Sequence, residues 1–94
     1  MRKYEAMVIF YPNLEEEKRN ALLERFKKII ETGGSITTLD EWGMRKLAYL
    51  IDDLAEGYYV LINFESNPEV ISEFDRIAKI SDGIMRHMIT REEE

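Results

Sequence analysis

Few residues in this chain are of a type that does chemistry, and their spacing argues against most of it. His87 is the only histidine. It alternates with Met85 and Ile89, and a lone histidine there reads as a structural residue, not a base or ligand. Asp52-Asp53 could share a proton or hold a cation, but neighbouring loop acids are ordinarily solvated and no third ligand accompanies them. Gly33-Gly34 follows a helical pattern instead of opening one, so it makes no phosphate cradle. Ser35, Ser66, Ser72 and Ser81 lack an elbow motif and a nearby histidine. Met7, Met44, Met85 and Met88 offer thioethers to a soft metal, yet suit core or interface filling better. Neither catalysis nor a cofactor or metal is expected.

Binding chemistry remains. Trp42-Gly43-Met44-Arg45-Lys46-Leu47-Ala48-Tyr49-Leu50-Ile51 sets two adjacent cations beside an aromatic-apolar run. Such a run suits a phosphate backbone or a partner protein. Arg2, Lys3, Arg86 and Arg91 add cations at or near other predicted strands. Taken alone, these six read as ordinary solvated charges.

The chain has 94 residues, which is enough for one domain, and its net charge is −6. At 45% hydrophobic residues it can build a modest core, burying roughly 60 to 65% of its unfolded surface. No cysteine is present, so no disulfide framework or thiolate site is possible, and an intracellular setting is expected. The charged opening Met1-Arg2-Lys3-Tyr4-Glu5 predicts no secretory signal, and no apolar run is long enough to span a bilayer. A negative balance counts against simple electrostatic binding of nucleic acid. The acids fall mainly in predicted loops, in the second predicted helix and in the tail Glu92–Glu94. A locally basic surface on an acidic body is therefore possible.

The elements that must position these residues follow from periodicity. Residues 2–11 read as a strand ended by Pro12-Asn13. Asn13 is expected to cap a helix, with Glu16 closing a capping box. Leu22, Phe26, Ile29 and Ile30 recur at helical spacing with Leu23 at the edge of the stripe, and Gly33-Gly34 is expected to end the helix in a left-handed cap. Ser35–Leu39 and Arg45–Ile51 read as strands around Gly43, forming either a hairpin or one bent strand. Asp52–Gly57 reads as a loop and Tyr58–Phe64 as the clearest strand. Asn67-Pro68 opens a second helix whose apolar face is Val70, Ile71, Phe74, Ile77 and Ala78. Ile84–Thr90 is the last strand. The order βαββαβ predicts an α+β, ferredoxin-like split βαβ fold, with a four-stranded antiparallel sheet and two helices on one face.

Period-two alternation sorts the two central strands. Ala6, Val8, Phe10, Val60, Ile62 and Phe64 are assigned to the helices, because Glu5 and Asn63 belong to the opposite set. That opposite set is still too apolar for a wetted surface. Met7, Ile9, Tyr11, Tyr59 and Leu61, with Met88, are read as a protein-partner face, homomeric or heteromeric.

Gly43-Met44-Arg45-Lys46-Leu47-Ala48-Tyr49-Leu50-Ile51 resembles a Gly-x-basic-x-Leu-Ala-Tyr-x-Ile signature. Met1–Glu5, Pro12-Asn13-Leu14, Gly57-Tyr58-Tyr59 and Arg86–Ile89 fit the same pattern. On these residues the whole chain, 1–94, is similar to the family of the sixth protein of the bacterial small ribosomal subunit. The resemblance implies a ferredoxin-like structural protein. It also implies binding to the central domain of small-subunit ribosomal RNA, in a heterodimer with the basic eighteenth protein of that subunit. An acidic body with an apolar face would dock the basic chain, and the pair would carry enough positive charge for RNA. RNA contacts are then expected from Arg2, Lys3, Arg45, Lys46, Arg86 and Arg91, with Tyr4 and Tyr49 stacking or hydrogen bonding. The chain alone is expected to be a monomer, away from membranes, in the cytoplasm on the ribosome. Three positions depart from the pattern: Leu50 stands where many members have proline, Asp52 where a basic or small polar residue is common, and the tail stops at Glu94. A homo-oligomeric ferredoxin-like module explains the apolar face but not the signature. An acylphosphatase-like enzyme lacks its phosphate-binding loop.

Overall fold

A computed structural model describes residues 1–51 and 53–92. The elements are β1 (Arg2–Phe10), α1 (Glu16–Glu31), β2 (Gly34–Ile51), β3 (Leu54–Ser66), α2 (Pro68–Ile80) and β4 (Ile84–Arg91). The four strands form one sheet in the order β2-β3-β1-β4, with every neighbouring pair antiparallel. The predicted ferredoxin-like fold is the observed one, with β1 and β3 at its centre.

The core lies between one sheet face and both helices. Ala6, Val8, Phe10, Val60, Ile62 and Phe64 are at most 1% exposed, as their alternation required. Leu23, Phe26 and Ile30 of α1 and Val70, Phe74, Ile77 and Ala78 of α2 close over them. Phe26 stacks on Phe74 with ring centroids 4.3 Å apart, and Phe74 stacks on Phe64 at 6.2 Å. Each fully buried aromatic side chain contributes roughly 1.5 to 3 kcal/mol by leaving water. On α1, Leu23 takes the central position and Leu22 the flank, the reverse of the sequence expectation.

The ends of α1 also differ from expectation. Asn13 does not cap it. Pro12 and Asn13 fill the middle of a turn closed by the Leu14 N–H on the Tyr11 carbonyl at 3.2 Å, a setting both residues favour. The helix therefore starts later, at Glu16, with Glu15 before it and no side-chain cap. Gly33 and Gly34 do not form a left-handed cap either, because Thr32 ends α1 in the right-handed region and neither glycine has positive φ. Their lack of a side chain serves packing. A Cβ on Gly34 would lie 1.9 Å from the Glu65 carbonyl oxygen, and one on Gly33 would lie 2.5 Å from Asn67 Nδ2. The start of α2 is as predicted, with Pro68 in its first turn and the Asn67 side chain accepting from the Val70 N–H at 3.2 Å.

The stretch around Gly43 is one long bent strand, not a hairpin. Gly43 has φ +78 within a register shift, the left-handed conformation that glycine takes without steric cost. The hairpin to β3 starts further on, so the predicted loop 52–57 shrinks. Leu54–Gly57 belong to β3, and Asp52 lies outside the described residues. Replacing Gly34 with Ala is expected to cost about 1 to 3 kcal/mol, because backbone must move to admit the methyl. A urea midpoint equal to or above that of the parent chain would contradict this close approach.

Candidate partner and nucleic-acid interface

The sheet face away from the helices carries the residues of interest. Ladder register places them together: Met7 pairs with Leu61 and Met88, and Ile9 pairs with Tyr59 and Arg86. Side chains on one face of paired strands lie within contact reach, so Met7, Ile9, Tyr59, Leu61 and Met88 form one patch. Trp42 extends it, with its ring 6.4 Å from that of Tyr59 and almost parallel at 2°. Met88 is 51% exposed and Trp42 41% exposed. Ile9 is only 8% exposed.

The far end of the β2–β3 hairpin is what shields Ile9. Lys46 pairs with Glu56, and the next pair is Ile51 with Leu54. Leu47–Leu50 thus stand opposite Ala55 alone, and this surplus arches over the sheet. It walls a cavity of about 250 Å³ lined by Met7, Ile9, Leu47, Tyr49, Ile51, Tyr59 and Met88, among others. The Arg86 guanidinium donates a short hydrogen bond to the Tyr49 hydroxyl and sits 6.0 Å from the Tyr49 ring centroid. The two edge strands are thereby joined across the two central ones.

Two expected site residues lie elsewhere. Tyr4 is 8% exposed and stacks on Phe64 at 5.7 Å. It shares the core side with Ala6 by alternation, so its ring cannot stack on a base. Tyr11 has left the strand, which ends at Phe10 with a register shift against β4. Its N–H donates to the Gly83 carbonyl at 3.1 Å, and it lines a separate hollow with Asn13, Leu14 and Leu22.

All six expected cations are exposed, but they do not make one patch. Arg2, Lys3 and Arg91 gather where β1 begins and β4 ends. Arg45, Lys46 and Arg86 lie toward the other end. Seven residues of β1 separate the two groups, roughly 23 Å. Alternation also splits neighbours. Lys3 pairs with Glu65, Arg45 with Gly57 and Arg86 with Ile9, on the open side, whereas Arg2 and Arg91 share the Tyr4 side.

Sequence reasoning singled out the Trp42–Ile51 stretch but did not assign Trp42, Leu47, Ala48 or Ile51 to the face. The hairpin's unequal register brings Leu47, Ala48 and Ile51 there, and the separate shift between Glu41 and Gly43 brings Trp42; strand periodicity carries no sign of either. Arg19 was also missed. Its guanidinium lies 3.8 Å from the Tyr58 ring centroid, and the Tyr58 hydroxyl donates to Glu41 at 3.3 Å.

His87 is on the helix side, paired with Val8, and its Nε2 lies 2.7 Å from an Asp75 carboxylate oxygen. The other oxygen takes the Lys79 ammonium at 2.8 Å. Hydrogen bonds from Lys79 and then His87 hold the Asp75 carboxyl below the usual aspartate range. Among the described residues, no three His, Cys, Asp or Glu side chains are grouped to hold a metal.

Fold and face together define a ferredoxin-like protein built for macromolecular contact. Residues 3–91 match the family described as Ribosomal protein S6. Small ribosomal subunit protein bS6 of Thermoanaerobacter pseudethanolicus is 58% identical over 95 aligned positions, covering all of both chains. The Clostridium perfringens protein of the same name is 53% identical, again over full length. The crystal structure of 30S ribosomal protein S6 from Thermotoga maritima superposes with a TM-score of 0.89 at 39% identity, covering 97% of this chain and 87% of that one. A protein from Arabidopsis thaliana shares the fold alone, with a TM-score of 0.58 at 13% identity. The chain belongs to the ribosomal protein S6 family, structural proteins of the small ribosomal subunit and not enzymes. Its place is therefore the ribosome, in the bacterial cytoplasm.

The Asp75 cluster has a pH signature. Its folded pKa is depressed, so its contribution is complete above the unfolded aspartate value of about 3.9 and fades as pH falls through the lower folded value. The stability gap between the parent chain and Asp75→Asn should be open at about pH 7 and close toward about pH 2. A gap of constant size in urea melts across that range would contradict the assignment.

Proposed function

We propose that this chain binds the central domain of small-subunit ribosomal RNA as a heterodimer with the eighteenth protein of that subunit. The observation that carries this is the open sheet face of a chain of net charge −6, where Met7, Ile9, Tyr59 and Met88 line an apolar cavity and Leu61 lies beside Met7 by register. Apolar surface of this extent on one face favours a protein partner. The acidic balance favours a basic one and opposes RNA binding by the chain alone. Family membership supports the RNA target.

In this reading Arg2, Lys3, Arg45, Lys46, Arg86 and Arg91 touch phosphate and sugar, and the exposed Tyr49 ring offers a stacking surface. The two cationic groups, roughly 23 Å apart, suit two separate backbone segments better than one continuous groove.

A gel shift with a central-domain RNA fragment tests the proposal. Tight binding is expected only when both proteins are present. With about five phosphate contacts, the log-log salt dependence should have a slope of roughly −3.5 to −4.5. A salt-independent affinity would reject RNA contact through these cations. Leu61→Asp should abolish pairing while leaving the fold intact, since Leu61 faces away from the core. Unchanged co-sedimentation with the eighteenth protein would reject the surface. The chain alone should scatter light as a monomer, and a stable dimer would favour the homo-oligomeric alternative.

A further inference from the structure

The open face has two chemically different ends. Along β1 its residues run Lys3, Glu5, Met7 and Ile9. At the Ile9 end lie the apolar cavity and the cations Arg45 and Arg86. At the Glu5 end, Asn63 pairs with Glu5 across the ladder. With its amide assigned so that both carboxylates meet a donor, Asn63 accepts from the Thr38 hydroxyl at 2.9 Å through its oxygen and donates to Glu5 at 3.3 Å and Glu92 at 3.0 Å through its nitrogen. Glu65 and Asp40 fall on the same side by register, paired with Lys3 and Leu61. Three carboxylates, Glu5, Glu65 and Glu92, therefore share this end with Lys3, and Asp40 lies nearer the middle of the face, at the level of Met7.

We infer that the cavity seats an apolar side chain of a basic protein segment, and that this segment runs along the sheet so that its lysines or arginines lie over Glu5, Glu65 and Glu92. The inference rests on the protein-partner reading above and adds to it a direction. Three observations select this occupant. RNA is a polyanion and is repelled from the carboxylate end. A second copy of the chain adds another −6 of net charge to the complex. The opposite orientation of a basic segment would set its cations against Arg45 and Arg86 and leave the carboxylates uncovered, and like charges facing each other suppress wrong registers. Ile9 and Glu5 are four residues apart on an extended strand, so the apolar anchor and the first basic group are spaced by about 13 Å.

The test uses the full chain and the purified eighteenth small-subunit protein as probe. The readout is the fluorescence of Trp42, the sole tryptophan, which stacks on Tyr59 beside the cavity. One variant combines Glu5→Gln with Glu92→Gln. A control combines Glu16→Gln with Glu17→Gln at the start of α1, making the same change in net charge on the helix layer. Urea melts establish that both fold. The first variant should bind roughly fivefold to tenfold more weakly at low salt, and the control within about twofold of the parent. The difference should vanish near about 1 M salt, where screening is short-ranged. Equal weakening by both variants would mean that only net charge matters and would overturn the inference, as would no weakening by the first. Either result leaves pairing by the parent chain, and thus the broader reading, in place. No binding by the parent chain would overturn both. A stable dimer of the chain alone, dissociated by Glu5→Gln with Glu92→Gln, would assign the face to a second copy and overturn the inference.

Discussion

Two helices can cover one face of a four-stranded sheet, and the described residues form two. Everything else about the molecule follows from which face they take. Alternation gives each central strand two apolar sets, and the helices bury the one without Glu5 and Asn63. The aromatic stack of Phe26, Phe74 and Phe64 then ties both helices to β3. The other set is left on a surface that is apolar at its centre. Among the described residues the arch of Leu47–Leu50 is what covers part of it, shielding Ile9 and leaving Met88 half exposed.

The split between what the sequence disclosed and what it hid has a physical basis. Strand and helix periodicities are local, so the βαββαβ order, the inward set Ala6, Val8, Phe10, Val60, Ile62 and Phe64, and the Asn67-Pro68 helix start were legible. Turn chemistry was less so. Asn13 suits both a cap and a turn, and Pro12 before it decided for the turn. Gly33-Gly34 reads as a helix terminator from sequence, while its actual constraint is distance to β3 and Asn67, a tertiary fact. The unequal register of the hairpin, with four residues opposite one, leaves no trace in alternation, and it is this register that builds the cavity.

The candidate face was legible in outline and wrong at its margins for the same reason. Tyr4 alternates with Ala6 and Val8, so the pattern itself placed it inside, against the stacking or hydrogen-bonding role expected of it on RNA. Tyr11 alternates outward, but alternation ends with the strand, and the register shift after Ile9 carries it to another surface. Residues whose placement depends only on the ladder, Met7, Ile9, Tyr59, Leu61 and Met88, fall together as expected. The six cations are a different case. Their exposure was predictable, but their division into two groups needs the antiparallel pairing of β1 with β4, which brings Arg91 to Arg2 and Lys3 and Arg86 to Ile9.

An acidic protein on a polyanion needs its charges segregated more than it needs them reversed. In this fold segregation comes without long-range design. Arg2, Lys3 and Arg91 lie at strand ends, where chain reversals put polar residues, while Arg45 and Arg86 lie within β2 and β4 near the apolar cavity. The sheet centre stays apolar because β-forming side chains line both faces. Carboxylates then gather at the Asn63 end, where one amide bridges two of them. The result is a single sheet face that repels RNA along one part and admits it only at the rims. In the proposed reading a basic partner seated on that face neutralises the repelling part. Because that seat would be apolar and directional, pairing with the partner and tolerance of RNA would then be one physical event instead of two.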